Sequence, residues 1–369
     1  MTSLKATPIE SSPFGAVITL PEGVTDPSTL TDNDFDELKK MLLTHLVIVI
    51  PNQENLPASS QYHLTRRFDP TCEGAYGHAK EFRHEKSVLR RDGKSVPSQP
   101  QVQILGQGTF KNHAGLENVT LRHPVHDDFH KDVLSQEEQD AGYTRFYRWH
   151  IDSALYGLSP PFCTTLLGID VPPTTKTQKI RYDDTKEEIE VSQAGTAFLS
   201  GAIAFNLLSE EDKEIALGTT VEYAPHPYIF ISPARATSDG LTMASEGKET
   251  PLDQLPEWEE SKIKKLPMVW TNPITGNHHL QVHGCCIRRL HRADGTIVEL
   301  EDARKEVHRL MRPAIAPKNI YVHNWNKGDL AIFYNQGVLH SVTGHFSEGE
   351  KRLMHQCNIA SGVDPVTIR

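Results

Sequence analysis

The 369-residue chain is 37% hydrophobic and 23% charged, which is typical of a globular protein large enough to bury a substantial core. Its formal net charge is −10, and its lysines and arginines are scattered rather than gathered into a basic stripe that could follow a phosphate backbone. These features argue against a nucleic-acid partner.

The cysteines and the N-terminus indicate where such a protein resides. The five cysteines show neither the Cys-x-x-Cys spacing of a zinc ribbon nor a disulfide framework, so a reducing compartment is the simpler interpretation. The segment 1–13 is polar and lacks the basic and apolar regions of a secretory signal, and no later run approaches ~18 uninterrupted apolar residues. We expect a cytoplasmic protein with no membrane partner. Whether it forms homo-oligomers stays open.

Short strands and helices are predicted for the first third of the chain. A strand over 14–20 precedes a helix that Thr31 or Asp32 caps, because apolar residues repeat at helical spacing from Phe35 to Leu46. The other predictions in this part are a strand over 46–50, a helix over 58–68 and a strand over 101–105.

Strands outnumber helices in the rest of the chain. The pattern predicts helices over 201–217 and 302–311, a hairpin over 178–191, and strands over 145–152, 162–171, 195–199, 265–271, 279–283, 320–325, 329–334 and 352–360. The stretch 235–262 is polar with little periodicity, so it is either a functional lid or disordered. We predict a mainly β fold with flanking helices, either a two-layer sandwich or a jelly roll.

A histidine and a carboxylate lie two residues apart at the end of the predicted strand 145–152. Because successive strand side chains alternate between faces, His150 and Asp152 share one face and can bind a common metal. One distant histidine would complete a 2-His-1-carboxylate site, which leaves open positions on Fe(II) for substrate and oxygen. The spacing alone is weak evidence, since His126 and Asp128 repeat it.

The most economical second histidine is His340, which follows the predicted strand 329–334 through a glycine-containing turn. Arg352 begins the next predicted strand, and its planar guanidinium suits the far carboxylate of a dicarboxylic acid whose keto-acid end chelates iron. Taken singly, the histidine could be an ordinary core or surface imidazole and the arginine an ordinary surface cation.

Several segments, in their shared order, resemble the Fe(II)- and 2-oxoglutarate-dependent dioxygenases of the TauD/TfdA family over 14–362. The segments are Trp149-His150-Ile151-Asp152, Gly195-Thr196 with Leu199-Ser200-Gly201, Asn272-Pro273-Ile274-Thr275-Gly276, Lys327-Gly328-Asp329-Leu330, and His340 with Arg352-Leu353-Met354-His355. The resemblance implies a double-stranded β-helix core, which is a cupin-like jelly roll. It also implies Fe(2+) as the metal, 2-oxoglutarate as cosubstrate and O2 as oxidant.

The resemblance also implies roles for particular residues. The implied iron ligands are His150, Asp152 and His340. Arg352 and the hydroxyl of Thr196 are implied to hold the distal carboxylate of 2-oxoglutarate.

The same resemblance organises the rest of the chain. It implies a single dioxygenase domain over 14–369 that follows a flexible N-terminus over 1–13. Insertions are expected near 172–193 and 235–262. The competing pair of His126 and Asp128 falls outside the family pattern, and we expect both residues on the surface.

Gln356 departs from the family pattern, which usually has a second, substrate-binding arginine four residues after Arg352. The neutral amide argues against a sulfonate or carboxylate substrate. With the Gln-rich strand and the aromatic residues before His150, it makes the chain most like the fungal xanthine dioxygenases. That likeness implies hydroxylation of a neutral purine, xanthine, to urate with release of succinate and CO2.

Amide side chains can pair with both the N–H donors and the carbonyl acceptors of a purine dione. The candidate substrate-binding residues are Gln99, Gln101, Gln103, Gln356 and Asn358, with Arg122 as a further partner if xanthine is partly ionised. Two alternatives stay open: the same chemistry on another small metabolite, and a non-catalytic jelly-roll protein that binds a metal or ligand.

Overall fold

The computed structural model describes residues 4–72, 74, 87–89, 93–346 and 349–369. Its helices are α1 (Asp32–His45), α2 (Ala58–Phe68), α3 (Gln136–Asp140), α4 (Gly201–Asn206), α5 (Glu210–Leu217), α6 (Pro227–Phe230) and α7 (Leu300–Met311). The strands up to Ser200 are β1 (Lys5–Pro8), β2 (Ala16–Thr19), β3 (Val47–Ile50), β4 (Lys94–Val96), β5 (Gln99–His113), β6 (Leu116–Leu121), β7 (Tyr143–Thr144), β8 (Cys163–Asp170), β9 (Thr177–Arg181), β10 (Glu188–Ser192) and β11 (Thr196–Ser200). The later strands are β12 (Thr220–Tyr223), β13 (Lys265–Pro267), β14 (Val269–Thr271), β15 (His278–Leu280), β16 (Ile287–His291), β17 (Ile297–Val298), β18 (Ile320–His323), β19 (Leu330–Tyr334), β20 (Val338–Val342) and β21 (Arg352–Asn358).

The larger sheet has the strand order β1-β2-β3-β19-β8-β21-β5-β4, and β6 extends it by pairing with β5. Every residue of β3 and β19 is buried, and both strands are runs of aliphatic and aromatic side chains. Such runs suit strands that are covered on both faces. In this sheet, three polar residues that line the site, Gln103, Arg352 and Gln356, come from β5 and β21, which pair antiparallel.

A smaller sheet, β18-β11-β20, faces the larger one. Phe198 of β11 packs on Phe333 of β19 with ring centroids 5.2 Å apart, and both belong to one apolar cluster with β3. Two layers packed in this way, antiparallel except where β2 pairs with β3, confirm with their outer helices the predicted mainly β fold with a jelly-roll core.

The first two helices cover the larger sheet as their spacing predicted. Thr31 caps α1 by accepting a hydrogen bond from the backbone N–H of Asp34 at 3.2 Å, and Leu38 and Leu42 are buried. Gln61 of α2 donates from its side-chain amide to the carbonyl oxygens of Thr165 in β8 and His355 in β21, at 3.2 and 3.1 Å. The helix therefore fixes the two strands that carry part of the site.

Gly106 allows β5 to lie close to β21. Its φ of +148° is one that side-chain-bearing residues rarely adopt, and a Cβ at this position would overlap the carbonyl oxygen of Arg352. Close pairing at this point sets the start of β21, and with it the position of the Arg352 side chain.

Several predicted elements differ from the structure. The segment 145–152 is extended, yet it forms only one isolated β-bridge, between His150 and His340, instead of a regular strand. The single helix predicted over 201–217 is two helices, because Ser209 caps α5 by accepting from the N–H of Asp212.

The ends of the chain also differ in part from expectation. Residues 1–3 of the segment expected to be flexible lie outside the described residues, and the rest of it includes β1, which pairs with β2. The stretch 235–262 packs on the core with Leu241 and Met243 buried. Within the described residues, no helix combines the length and apolarity needed to cross a bilayer.

Candidate active site

A reciprocal pair of backbone hydrogen bonds sets the two histidines side by side. The N–H of His150 donates to the carbonyl of His340 at 3.0 Å, and the N–H of His340 donates back to His150 at 2.9 Å. Residues paired in this way project their side chains to the same face of a sheet. The two imidazole rings consequently lie 4.0 Å apart between centroids.

Asp152 completes a compact group with these histidines. Its Oδ1 lies 3.8 Å from Nε2 of His150 and 3.8 Å from Nε2 of His340. The three ligand atoms all lie within 4.8 Å of one another, and this is the one such group of His, Cys, Asp and Glu among the described residues. Two imidazole nitrogens and one carboxylate oxygen on one side of a common point match the facial arrangement of non-haem Fe(II) sites.

The environment holds His150 in the form that binds metal. Its Nδ1 lies 2.9 Å from the carbonyl oxygen of Arg148, so Nδ1 carries the proton and donates it, leaving the lone pair on Nε2. Burial, followed by the neighbouring His340 and Arg148, lowers the pKa of the His150 imidazole well below its usual range. A neutral imidazole is the form that ligates a metal ion.

Two neutral donors hold the other oxygen of Asp152. Oδ2 accepts hydrogen bonds from the hydroxyl of Thr164 at 2.8 Å and from the side-chain amide of Gln356 at 3.1 Å. Because Oδ2 is held on the protein side, Oδ1 points at the histidines. The carboxylate is therefore oriented before any metal arrives.

Asn335 fixes the backbone beneath this carboxylate. Its side-chain oxygen accepts from the N–H of Asp152 at 2.8 Å, and its amide donates to the carbonyl oxygens of Asp152 and Pro161 at 2.9 and 3.0 Å. Asn335 is fully buried in the turn that leads to β20. One amide thus ties the segment that bears Asp152 to the segment that bears His340.

The three candidate ligands line a cavity of about 460 Å³. A volume of several hundred Å³ suits small-molecule ligands. The lining also includes the polar residues Gln103, Arg122, Arg148, Thr196, Arg352 and Gln356.

Arg352 presents a buried cation to this cavity. The side chain is almost fully buried, its Nε has no hydrogen-bond partner, and no carboxylate within the described part of the chain pairs with it. Burial lowers the pKa of the guanidinium to about 10. Burying a cation without an anion beside it is unfavourable, so Arg352 is suited to bind an anion. The residues therefore fit the carboxylate of a dicarboxylic keto acid.

Thr196 lines the cavity, and its hydroxyl already has one hydrogen-bond partner in the protein. Nε1 of Trp325 lies 3.0 Å from Oγ1 of Thr196. An indole N–H can only donate, so Oγ1 accepts this bond and its single hydrogen stays available for another acceptor. The hydroxyl can thus act as a second donor to a bound carboxylate.

The predicted substrate-binding residues divide into two groups. Gln103, Arg122 and Gln356 line the cavity, and Gln103 pairs directly opposite Gln356 in the register of β5 and β21. Gln99 and Gln101 lie outside the lining and hydrogen-bond to each other at 2.6 Å.

Asn358 also lies outside the lining, although it is fully buried. Neither of its side-chain polar atoms forms a hydrogen bond with a residue that the structure describes. The structure therefore does not bring Asn358 to the cavity with Gln356.

The prediction that His126 and Asp128 lie on the surface was correct for only one of the two residues. Asp128 is exposed at the edge of the cavity, as expected, but His126 is buried next to Asp127 rather than on the surface. The two residues lie in a short 3-10 helix over His126–Asp128, and within the described residues the pair joins no candidate metal group.

Several residues that build the site had no signal in the sequence. Thr164, Asn335 and Trp325 act through the pairing of strands that are far apart in the chain. Arg148 was visible only as part of the aromatic segment before His150. The sequence signal that could have found it is a charged residue two positions before a candidate ligand, on the face of an extended segment that the ligand shares.

Comparison with known proteins agrees with this site. The profile of the family described as "Taurine catabolism dioxygenase TauD, TfdA family" matches residues 6–358. The alpha-ketoglutarate-dependent xanthine dioxygenase xanA of Emericella nidulans is 51% identical over 96% of this chain and 95% of that protein. The enzymes named xan-1 of Neurospora crassa and xan1 of Schizosaccharomyces pombe are 48% and 44% identical, over 96% and 95% of this chain and 84% and 86% of those proteins.

Solved structures show the same fold at low sequence identity. A taurine dioxygenase from Burkholderia xenovorans has a TM-score of 0.58 at 16% identity, covering 100% of this chain and 97% of its own. AAD-2 in complex with Mn(II) and N-oxalylglycine has a TM-score of 0.58 at 15% identity, covering 100% of both chains. With the jelly-roll core, the His-Asp-His group and a family profile that spans nearly the whole sequence, the chain belongs to the TauD/TfdA family of dioxygenases.

Proposed function

We propose that this chain is an Fe(II)- and 2-oxoglutarate-dependent dioxygenase that hydroxylates xanthine to urate, with release of succinate and CO2. The observation that carries the proposal is the His150-Asp152-His340 group at a cavity that also holds the unpaired cation of Arg352. Relatives named as xanthine dioxygenases, at 44% identity or more over nearly the whole chain, supply the substrate.

The protein contributes positions rather than the oxidative chemistry. When bound, Fe(II) and 2-oxoglutarate supply the activation of O2 and the oxidation of the substrate. His150, Asp152 and His340 would hold the metal on one face, leaving positions for the keto acid and oxygen. Arg352 and Thr196 would bind the distal carboxylate, one as a cation and the other as a hydroxyl donor.

The cavity walls would orient the purine. Gln103 and Gln356, opposite each other on β5 and β21, offer two amides to the alternating donors and acceptors of a purine dione. Because Gln356 also donates to Asp152, it links the substrate wall to the metal ligand.

Measuring which compound stimulates decarboxylation of 2-oxoglutarate tests the substrate. With Fe(II) and 2-oxoglutarate present, xanthine should stimulate CO2 release far more than other purines, taurine or amino acids at equal concentration. Strong stimulation by a compound outside the purines, with none by xanthine, would support the second candidate, the same chemistry on another small metabolite.

A cytoplasmic location and a single domain over 14–369 complete the proposal. All five cysteines are buried and free, which fits a reducing compartment. The family profile matches residues 6–358, which supports one catalytic unit. The insertions near 172–193 and 235–262 belong to the same proposal. Fractionation of the cells of origin, with detection of the chain by antibody, tests the location.

A further inference from the structure

Arg148 lies two residues before His150 and lines the same cavity, although it is only 5% exposed. Aromatic rings surround its guanidinium: the carbon Cζ lies 5.5, 5.6 and 5.3 Å from the ring centroids of Phe129, Tyr147 and Tyr228. Aromatic faces attract a cation and replace part of its lost hydration. They offer no acceptor for the N–H groups in the guanidinium plane.

The buried arginines of the described residues differ in whether a carboxylate pairs with them. The described residues include four buried arginines, of which Arg145 pairs with Asp183 at 2.9 Å and Arg304 pairs with Glu249. Among the described residues, no carboxylate pairs with Arg148, and none forms a hydrogen bond with its buried Nε and Nη1. Arg352 is the other unpaired one, and both unpaired guanidiniums line the cavity with the candidate iron ligands.

Burying an unpaired charge is costly, so an arginine without an anion in the protein indicates an anion in the ligand. Arg352 lies in the same cavity as the hydroxyl of Thr196, and these two are sufficient for the distal carboxylate of 2-oxoglutarate. One buried guanidinium then remains for a second anionic ligand, since the other cations of the lining, Lys94 and Arg122, are exposed.

We propose that Arg148 binds the purine substrate and favours its ionised form, an inference that rests on the function proposed above. An oxypurine that loses a ring N–H proton spreads negative charge over adjacent ring nitrogen and carbonyl oxygen atoms. That edge matches the two parallel donors of a guanidinium. The neutral Gln356 predicted an uncharged substrate, but the structure supplies positive charge from a different segment, 145–152.

Ligands of different charge separate recognition of charge from simple packing. Urate is a stronger acid than xanthine and is anionic at neutral pH, whereas hypoxanthine is uncharged there. The protein, loaded anaerobically with Fe(II) and 2-oxoglutarate, is titrated with each purine while the visible band of the ferrous keto-acid complex reports binding. The variants are Arg148→Met, Arg148→Lys and, as a matched control, Arg145→Met on the same segment, outside the cavity lining.

Arg148→Met should weaken binding of urate about 10- to 100-fold, because a charge-assisted pair is lost, and should weaken hypoxanthine much less. Arg148→Lys should recover part of the urate affinity, and Arg145→Met should leave both affinities unchanged. An intact visible band in Arg148→Met shows that the cosubstrate site is folded. If the band is lost, Arg148→Gln replaces Arg148→Met in the same comparison.

Equal binding of urate by wild type and Arg148→Met would overturn the inference, and so would equal losses for urate and hypoxanthine. In either case turnover of xanthine by the wild type would leave the proposed function standing. A wild-type protein that binds no purine would contradict the proposed function and this inference together.

Discussion

At the scale of single residues, the site depends on how Asp152 is held. Thr164 and Gln356 occupy Oδ2 and leave Oδ1 for the metal. This geometry matters because replacing a residue that hydrogen-bonds to a metal ligand typically changes the metal affinity about 10- to 100-fold. Thr164→Val should weaken Fe(II) binding by a factor in this range and leave the fold intact.

Equilibrium titration of the apoprotein with Fe(II), followed by the band that forms with 2-oxoglutarate, measures this effect. Thr65→Val is a suitable control. The hydroxyl of Thr65 hydrogen-bonds to that of Thr165, the residue after Thr164 in β8, and not to the carboxylate of Asp152. Unchanged iron affinity in Thr164→Val would show that the hydroxyl does not orient Asp152.

A second residue-scale prediction concerns Trp325. Replacement by Phe keeps a buried aromatic ring but removes the N–H that donates to Thr196. The Thr196 hydroxyl can then rotate, so we expect 2-oxoglutarate to bind about 3- to 10-fold more weakly, the effect of one lost neutral hydrogen bond. The KM for xanthine should stay nearly constant.

A double-mutant cycle measures the coupling behind this prediction. Trp325→Phe should add little to Thr196→Val, because the indole acts through the hydroxyl. Fully additive losses would mean that Trp325 supports the site only by packing.

The sequence revealed the ligands but not the residues that hold them. His150, Asp152 and His340 have a spacing and an order that predict a metal site. Thr164 and Asn335 come close to Asp152 only through the pairing of strands. The spacing of residues along the sequence does not predict the register of that pairing.

At the scale of elements, the pairing of β5 with β21 positions Arg352. Gly106 permits this pairing, since a Cβ there would overlap the Arg352 carbonyl. We expect Gly106→Ala to destabilise the protein by at least about 2 kcal/mol, as steric overlap adds to backbone strain. It should also weaken binding of 2-oxoglutarate.

Chemical unfolding compares this variant with Gly115→Ala in the turn between β5 and β6. Gly115 also has positive φ, at +84°, but a Cβ there would meet no atom within 4 Å. Gly115→Ala therefore carries only the strain. Equal destabilisation by both substitutions would contradict the role given to close strand approach.

An ion pair fastens the stretch 235–262 to α7. Nε2 of His308 lies 2.8 Å from Oδ2 of Asp239. Asp239 raises the pKa of His308 above 6.5, and although burial opposes ionisation of Asp239, hydrogen bonds led by that from His308 bring its carboxyl pKa below 3.8. The His308 contribution to stability is full below pH 6.5 and is lost as pH rises through the raised pKa.

The Asp239 contribution has the opposite sign, being full above pH 3.8 and lost as pH falls through the lowered pKa. The stability difference between wild type and His308→Gln should therefore be largest between about pH 4 and 6.5 and shrink above it. Thermal unfolding across pH 4 to 9 measures this difference. A difference that grows with pH would have the wrong sign for the ion pair.

Sequence patterns predicted regular elements better than irregular ones. The strands over 46–50 and 329–334 are apolar runs, and they are β3 and β19. The stretch 235–262 gave no periodic signal, yet it is packed, and none of its residues lines the cavity. Its order comes from contacts such as His308 with Asp239, which local periodicity does not encode.

At the scale of the whole molecule, two facing sheets bring segments 190 residues apart, at His150 and His340, into direct contact. The excess of strands predicted a two-layer sandwich or a jelly roll, and the family resemblance implied the jelly-roll core. The charge inside the cavity could not be predicted from the composition of the chain. Within its described part, a chain of net charge −10 places two buried guanidiniums without a carboxylate partner there, those of Arg148 and Arg352, which suits a site that binds anions.

With the proposed function, oxygen consumption should depend jointly on Fe(II), 2-oxoglutarate and xanthine. Uptake should be matched one for one by urate and by succinate, and Asp152→Ala should abolish all three while the protein stays folded. Arg145→Met, outside the cavity lining, serves as the control variant and should turn over normally.

Simultaneous measurement of oxygen uptake, urate and succinate with the purified, iron-loaded protein is therefore the most direct test. The predicted result is equal amounts of urate and succinate formed per oxygen consumed, with no product from Asp152→Ala. Absence of urate under these conditions, or full activity in Asp152→Ala, would contradict the proposed function.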